Sequence, residues 1–253
     1  MKKNLLFVFI GLLLLSGIEA CRKDENIAKD DSSSLIPPAD WDDENDNDNE
    51  EDDKPEVKLP IEIDGAFSDW DALDESKLAV VESVEGADWD LINKMTVYAT
   101  ADYIWICLDF NEAGLDKSVD ASMNIYMNSD NDASTGCAPT TEFSGADVDC
   151  LLQGYIFAAG KYISYNPTLY LFRGENGFVG WPSWDGVASG NVAEGAGVSG
   201  RYELRLNREA MVDLPIADTF TIALDIQQSW VTLGALPNAA GTGSAEKLIV
   251  TVK

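Results

Sequence analysis

The sequence predicts an all-β domain, a single jelly-roll-like β-sandwich of about ten antiparallel strands, over residues 61–253. Short runs rich in Val, Ile, Tyr, Thr and Leu recur along this region, from "LAVVESV" to "EKLIVTVK". Gly, Asn, Asp or Pro separates most of these runs, as expected of turns between strands. No stretch keeps a helical period over several turns, which excludes a helical bundle.

The first twenty residues, 1–20, are predicted to be a lipoprotein signal peptide. Lys2 and Lys3 precede the apolar run 5–15, which is shorter than the roughly 20 helical residues that span a bilayer. Small residues and then Cys21 follow, so the segment resembles a bacterial lipoprotein signal, in which that cysteine is lipidated. The alternative is an ordinary cleaved signal peptide with a chance cysteine.

Residues 21–60 are predicted to form a disordered acidic tether between the anchor and the domain. The segment contains "DSSSLIPPADWDDENDNDNEEDDKPE", in which almost nothing apolar can be buried. Repulsion between its carboxylates favours an extended chain. The alternative is that the same acidic residues bind calcium ions. Cys21 is followed by "RKDEN", whose Lys-Asp-Glu resembles an export tag of surface lipoproteins, so the predicted location is the outer membrane, on the cell surface.

Charge and composition exclude several classes of function. The formal net charge is −28, and so strong an acidic excess disfavours nucleic acid as a partner. The chain contains no histidine, which removes Ser-His and Cys-His catalysis and histidine-ligated zinc. Carboxylate pairs are too numerous in this sequence to indicate a glycosidase, so we expect a non-catalytic protein that binds cations or neutral ligands.

Within the domain, several segments have specific expectations. Asp64 and Gly65 are predicted to make a tight turn, and Trp70 to plug one end of the core. In "RYELRLNRE" apolar and polar residues alternate, which predicts a strand with one wet face. Two glycine-rich segments, "FRGENGFVGWPSWDGVASG" and "NVAEGAGVSG", are predicted to be loops or an irregular hairpin.

The order of the motifs resembles that of family 9 carbohydrate-binding modules and their sandwich relatives. The motifs are "IEIDGAFSDW", "VYATADYIWICLDF", "NIYMNSDNDASTGC", "SGADVDCLLQG", "YELRLNREAM" and "TIALDIQQSWVTLGALP". The resemblance implies a β-sandwich and a sugar ligand. The two tryptophans that clamp a terminal sugar in that family do not carry over, and Asn124 stands where such modules have an acidic residue.

A calcium site is predicted in the Asp-Asn segment. Asn128, Asp130 and Asp132 project oxygens at every second residue, Ser134 follows, and Asp147 returns from the next segment. The spacing is not that of an EF-hand, because Thr135 stands where glycine is required. The resemblance supports structural calcium, since related sandwiches often bind it. The alternative is an Asx-rich turn that satisfies its own backbone amides.

A sugar site would have to be built from other aromatic residues, for which Trp89, Trp181, Trp184 and Trp230 are the candidates. "GWPSWDG" concentrates two of them, so we predict that Trp181 or Trp184 stacks on a neutral sugar and that Asp185 binds a hydroxyl group. The alternative is that one or both rings cap the open end of the sandwich.

Three cysteines remain in the domain. Outside the cytosol, Cys137 and Cys150 are near enough in sequence to close a disulfide-bonded loop, or both could stay free. Cys107, in "YIWICLDF", is predicted to be a buried thiol.

These features together predict a surface lipoprotein that binds neutral oligo- or polysaccharide and that could serve a polysaccharide uptake system. The alternative is a structural, adhesin or protein-binding lipoprotein with the same fold and no sugar site. The glycan and the oligomeric state are not fixed by the sequence.

Overall fold

Alternating apolar side chains bring two antiparallel sheets together over one core, as the sequence predicts for a β-sandwich. The computed structural model describes residues 58–137, 147–175, 184–187, 191–243 and 247–253. Cys21 and the predicted tether lie outside the described residues, apart from the last residues of the tether, 58–60. In the described part of the chain, no helix has the length and apolar character needed to cross a membrane.

The described residues contain thirteen strands, a few more than the sequence suggests. They are β1 (Ala79–Glu82), β2 (Ile92–Ala99), β3 (Tyr103–Phe110), β4 (Ala121–Asn128), β5 (Cys150–Ala158), β6 (Lys161–Tyr162), β7 (Thr168–Phe172), β8 (Trp184–Val187), β9 (Ala193–Val198), β10 (Arg201–Asn207), β11 (Thr219–Gln228), β12 (Val231–Leu236) and β13 (Leu248–Thr251). A single helical turn, α1 (Ser68–Asp71), and two 3₁₀ turns, Glu75–Lys77 and Glu112–Gly114, complete the elements.

The strands form one five-stranded and one eight-stranded sheet. The first has the order β1-β2-β3-β10-β9, and the second runs β12-β11-β4-β5-β7-β8, with β13 paired to β11 and β6 to β5. All pairs between these strands are antiparallel. The main core lies between the sheets, where residues such as Ile106, Ile125, Leu152, Leu204 and Leu224 are fully buried.

A second apolar cluster lies on the outer face of the five-stranded sheet, under the segment that precedes β1. Ile61, Phe67 and Trp70 of that segment pack on Trp105 and Cys107 of β3. Trp70 is buried, as predicted, although it covers the outside of a sheet and does not plug one end of the main core. The turn at Asp64 and Gly65 is confirmed, because Asp64 Oδ1 accepts from the Ala66 amide and Gly65 has a φ of 79°.

Glu203 fastens this segment to the sheet. Its Oε1 accepts from the backbone amides of Asp64 (3.1 Å) and Gly65 (2.7 Å), and its Oε2 accepts from Trp70 Nε1 (2.9 Å). The carboxylate is therefore completely buried. The prediction of a wet face on β10 is wrong at this position, because the preceding segment covers the sheet there.

The described parts of the glycine-rich segments include strands β8 and β9 at sheet edges, and β9 forms a hairpin with β10, in agreement with the hairpin alternative. In β9 the glycines serve packing. A Cβ at Gly195 would lie 2.4 Å from the Tyr202 hydroxyl oxygen, and one at Gly197 would lie 2.5 Å from the Tyr202 ring. Glycine at these positions leaves room for the Tyr202 ring to pack against the strand. This requirement comes from tertiary packing, whereas in the local sequence the same glycines indicate a turn.

The three described cysteines are free and buried, so the structure does not contain the disulfide considered for Cys137 and Cys150. The two side chains belong to different clusters, which explains their separation. Cys150 lies in the main core, whereas Cys137 packs in a smaller cluster with Tyr126, Val148 and Trp184. Burial raises the pKa of Cys107 and of Cys137 to about 12, so both thiols are inert near neutral pH.

Candidate functional site

A groove of about 680 Å³ lies on the outer face of the eight-stranded sheet. In β4, β5, β7 and β11 every second residue enters the main core, so the residues between them face outward. These outward residues form the floor, and the loops before β4 and β7 and the β11–β12 turn form the rim. The lining comprises Ser118, Val119, Asp120, Ser122, Gln153, Gly154, Tyr155, Asn166, Thr168, Tyr170, Gln227, Ser229 and Trp230.

A hydrogen-bonded row of polar side chains underlies the groove. Strand register places Asp225, Asn124 and Gln153 side by side on β11, β4 and β5. Asn124 Nδ2 donates to Asp225 Oδ1 (2.7 Å), and Gln153 Nε2 donates to Asn124 Oδ1 (3.0 Å). Gln227 Nε2 and the Tyr126 hydroxyl donate to Asp225 Oδ2, at 3.2 and 3.1 Å. The row therefore holds Gln153 and Gln227 in fixed positions at the groove floor.

Asp225 determines which way these amides face. A carboxylate can only accept hydrogen bonds, so the NH₂ groups of Asn124 and Gln227 must turn toward it. The carbonyl oxygen of Asn124 then faces Gln153 and requires that residue to turn its NH₂ group inward as well. Asp225 is completely buried, so bulk water does not compete for these contacts.

Trp230 stands at the rim of the groove and is the most exposed large apolar residue of the described chain, at 87%. It forms the two-residue turn between β11 and β12 together with Ser229. Both have positive φ angles, 50° for Ser229 and 66° for Trp230, as a type I′ turn requires. Glycine or asparagine normally occupies such positions, so the chain holds a bulky aromatic residue in solvent at a backbone conformation that disfavours it.

Tyr155 supplies a second exposed aromatic ring, on β5, with 55% of its surface accessible. A bulge opposite Ala121 and Ser122 leaves Ile156 without a partner, so that Ile156 and Phe157 both enter the core. Tyr155 stays on the outer face beside Gln153 and Gly154, and the partly buried Tyr170 of β7 lines the same groove. Among the residues that line the groove, Asp120 is the one charged side chain.

The structure describes only part of the predicted sugar site in "GWPSWDG" and disfavours Trp184 as its stacking ring. Trp184 is buried, with 9% of its surface exposed, and packs on Phe172 with a distance of 5.4 Å between ring centroids. It begins β8 opposite Phe172, which turns its ring into the smaller apolar cluster. Asp185 is exposed, 3.9 Å from Arg173 Nε, and Trp181 lies outside the described residues.

The Asp-Asn segment forms a turn after β4 that satisfies part of its own backbone. Asp130 Oδ1 accepts from the Asp132 amide, and Asp132 Oδ1 accepts from the amide and hydroxyl of Ser134. These hydrogen bonds from Ser134 lower the pKa of Asp132. Asn128 Oδ1 is buried and lacks a hydrogen-bond partner among the described residues, which leaves one oxygen available to a cation.

Asp147 lies beside Gly136 at the end of this segment, and its carboxylate forms an ion pair with Lys247 at 2.5 Å. Asp149, which the sequence analysis missed, lies beside the turn. Its Oδ2 accepts from the Ser129 amide at 2.7 Å. Burial, together with the nearby Asp130 carboxylate, raises the pKa of Asp149. In the described ranges, no group of three or more carboxylate or cysteine side chains lies close enough to hold a metal ion.

Only weak sequence signals point to the groove residues. They are single outward residues on four strands that the topology brings together, with Gln-Gln-Ser-Trp at the β11–β12 turn as the strongest signal. Asn124 stands where family 9 carbohydrate-binding modules have an acidic residue, and it lies in the row beneath the groove. There Asp225 of the neighbouring strand supplies a carboxylate.

No family model, curated protein or solved structure matches this chain. The likeness to family 9 carbohydrate-binding modules therefore stays a prediction from the order of motifs in the sequence.

Proposed function

We propose that the protein is a non-catalytic glycan-binding protein whose ligand lies in the groove on the eight-stranded sheet. The observation that carries the proposal is the exposed ring of Trp230 at the rim of a groove floored by oriented amides. Sugars present C–H faces that stack on aromatic rings, and their hydroxyl groups bind amide and hydroxyl side chains. We prefer this site to the one predicted at Trp181, Trp184 and Asp185 because Trp184 is buried, while Trp181 lies outside the described residues.

The test is calorimetric titration of the full-length protein with neutral oligosaccharides at low and at high salt. We expect binding whose affinity is nearly independent of salt, because no ion pair with the ligand is involved. Affinity that falls steeply with salt would contradict this site. Absence of binding across a broad glycan array would favour the alternative, a structural or protein-binding lipoprotein of the same fold.

We further propose that lipid on Cys21 anchors the protein in the outer membrane and that the acidic segment 21–60 spaces the groove from the surface. The support is the short apolar run that ends in small residues and Cys21. Replacing Cys21 by Ser should move the protein from the membrane fraction to the soluble fraction after cell lysis. Retention of the Cys21→Ser variant in the membrane would overturn the anchor.

A structural calcium ion is a second proposal, with Asn128, Asp130 and Asp149 as ligands and without Asp147. The partnerless oxygen of Asn128 and the mutual repulsion of Asp130 and Asp149 support it. Millimolar calcium should raise the melting temperature of the wild type, because a cation bound only by the folded state stabilises it. Asp149→Asn should abolish the rise, whereas Asp147→Asn, the matched control, should keep it. If calcium raised the melting temperature of both variants equally, the segment would be only a turn and not a calcium site.

A further inference from the structure

Resting on the glycan-binding function proposed above, we propose that the groove binds an internal stretch of about three sugar units of an uncharged polysaccharide, laid across the strands. This binding mode differs from a clamp around one terminal sugar. It follows from the direction of the groove, the separation of its aromatic rings and the polarity of its floor.

The direction and length of the groove come from the sheet order. Lining residues belong to β11, β4, β5 and β7, four strands that are neighbours in that order. Neighbouring strands lie roughly 4.8 Å apart, so the floor extends over about 14 Å across the strands. A single sugar ring would cover only part of that length, whereas a short chain of sugars would contact all four strands.

The two exposed rings belong to positions two strands apart across the sheet. Trp230 follows the end of β11, and Tyr155 lies on β5, two strands away. Two strand spacings amount to roughly 10 Å. Rings carried two strands apart can each face a different unit of a sugar chain laid across the strands. Ser122 of β4 lies between them and supplies a hydroxyl group for the unit in the middle.

The floor offers hydrogen-bond acceptors that match the hydroxyl groups of a sugar chain. The amide nitrogens of Gln153 and Gln227 are held by Asn124 and Asp225, which turns the carbonyl oxygen of each amide away from that row. Hydroxyl groups can donate to such oxygens. Carboxylate or sulfate groups on a glycan could not, and Asp120 at the rim would repel them. The ligand class is therefore an uncharged glycan.

The experiment is a length series with the full-length wild-type protein, in buffer free of sugars and glycoside detergents. The probes are gluco-, manno- and xylo-oligosaccharides of one to six units, together with the same oligomers reduced to alditols at one end. We expect affinity to rise by about tenfold or more from one to three units and to level off beyond three or four. Reduction of the end of a hexamer should change its affinity by no more than about twofold, because the chain end lies outside the groove.

A monosaccharide bound as tightly as the hexamer, or a hexamer whose binding is lost on reduction of its end, would overturn the internal mode and leave glycan binding intact. Failure of every probe to bind would overturn the proposed function and this inference together. Tyr155→Ala should weaken binding of the trisaccharide by about tenfold and binding of the monosaccharide far less. Ile249→Ala, an exposed control on β13, should change neither affinity. If Tyr155→Ala weakened binding of the monosaccharide and of the trisaccharide equally, the internal binding mode would also be contradicted.

Discussion

Replacing Trp230 by Gly is expected to lower the affinity for neutral oligosaccharides by tenfold or more, about 1.4 kcal/mol, without lowering the melting temperature. The two effects have separate causes. The ring supplies a stacking surface that is exposed in the free protein, so its loss removes ligand contacts but few internal ones. The backbone at this position has a φ of 66°, which glycine adopts without strain, so the substitution favours the folded hairpin.

Trp230→Phe keeps an aromatic face and should retain part of the affinity, and Ile249→Ala serves as the control for loss of an exposed apolar side chain. Calorimetry gives the affinity, and thermal unfolding gives the stability. Unchanged affinity in Trp230→Gly would exclude the ring from the site. A marked drop in melting temperature would show that the turn conformation described for Ser229 and Trp230 is wrong.

The largest expected effect on stability is that of Glu203→Gln, a loss of about 2 kcal/mol. The glutamine oxygen can still accept from the amides of Asp64 and Gly65, but its NH₂ group then faces the Trp70 Nε1 hydrogen. Two donors would meet in a completely buried place, where water cannot satisfy them. Urea unfolding monitored by circular dichroism measures the change.

A double-mutant cycle separates this contact from other causes. In a Trp70→Phe background the opposing donor is absent, so Glu203→Gln should cost much less than in the wild type. Glu82→Gln, an exposed carboxylate on β1, is the matched control and should stay within about 0.5 kcal/mol of wild type. Equal costs in both backgrounds would show that the bond between Trp70 and Glu203 contributes nothing. Glycan affinity should not change, because the groove lies on the other sheet.

The sandwich could be predicted from the sequence because its strands alternate apolar and polar residues or form short apolar runs. The strands that were not predicted, β8, β9 and β12, are short or rich in glycine. Their formation depends on tertiary contacts. The β9 glycines accommodate the Tyr202 ring, which no local pattern reveals. Glu203 was expected in solvent because alternation shows which face of a strand is polar, but not what packs on that face.

The site was harder to predict because its residues are distant in sequence. Gln153, Ser122 and Gln227 become neighbours only through the pairing of β5, β4 and β11. Tryptophan and glycine density pointed instead to "GWPSWDG", where the pairing of Trp184 with Phe172 turns the first strand residue inward. Trp230 was among the candidates, yet its exposure depends on a two-residue turn that the sequence shows only as Ser-Trp between two strands.

The measurement that tests the central claim most directly is a nitrogen-15 NMR titration of the tryptophan indole N–H signals. The chain has seven tryptophans, and the Trp230 signal is assigned by its absence from the spectrum of Trp230→Gly. Addition of a neutral hexasaccharide that binds should shift the Trp230 signal strongly. The signals of Trp70 and Trp105, whose indole N–H groups donate to Glu203 and to the Ile61 carbonyl, should not move. Binding that shifts the Trp181 or Trp184 signal and leaves that of Trp230 unchanged would contradict a ligand site in the groove.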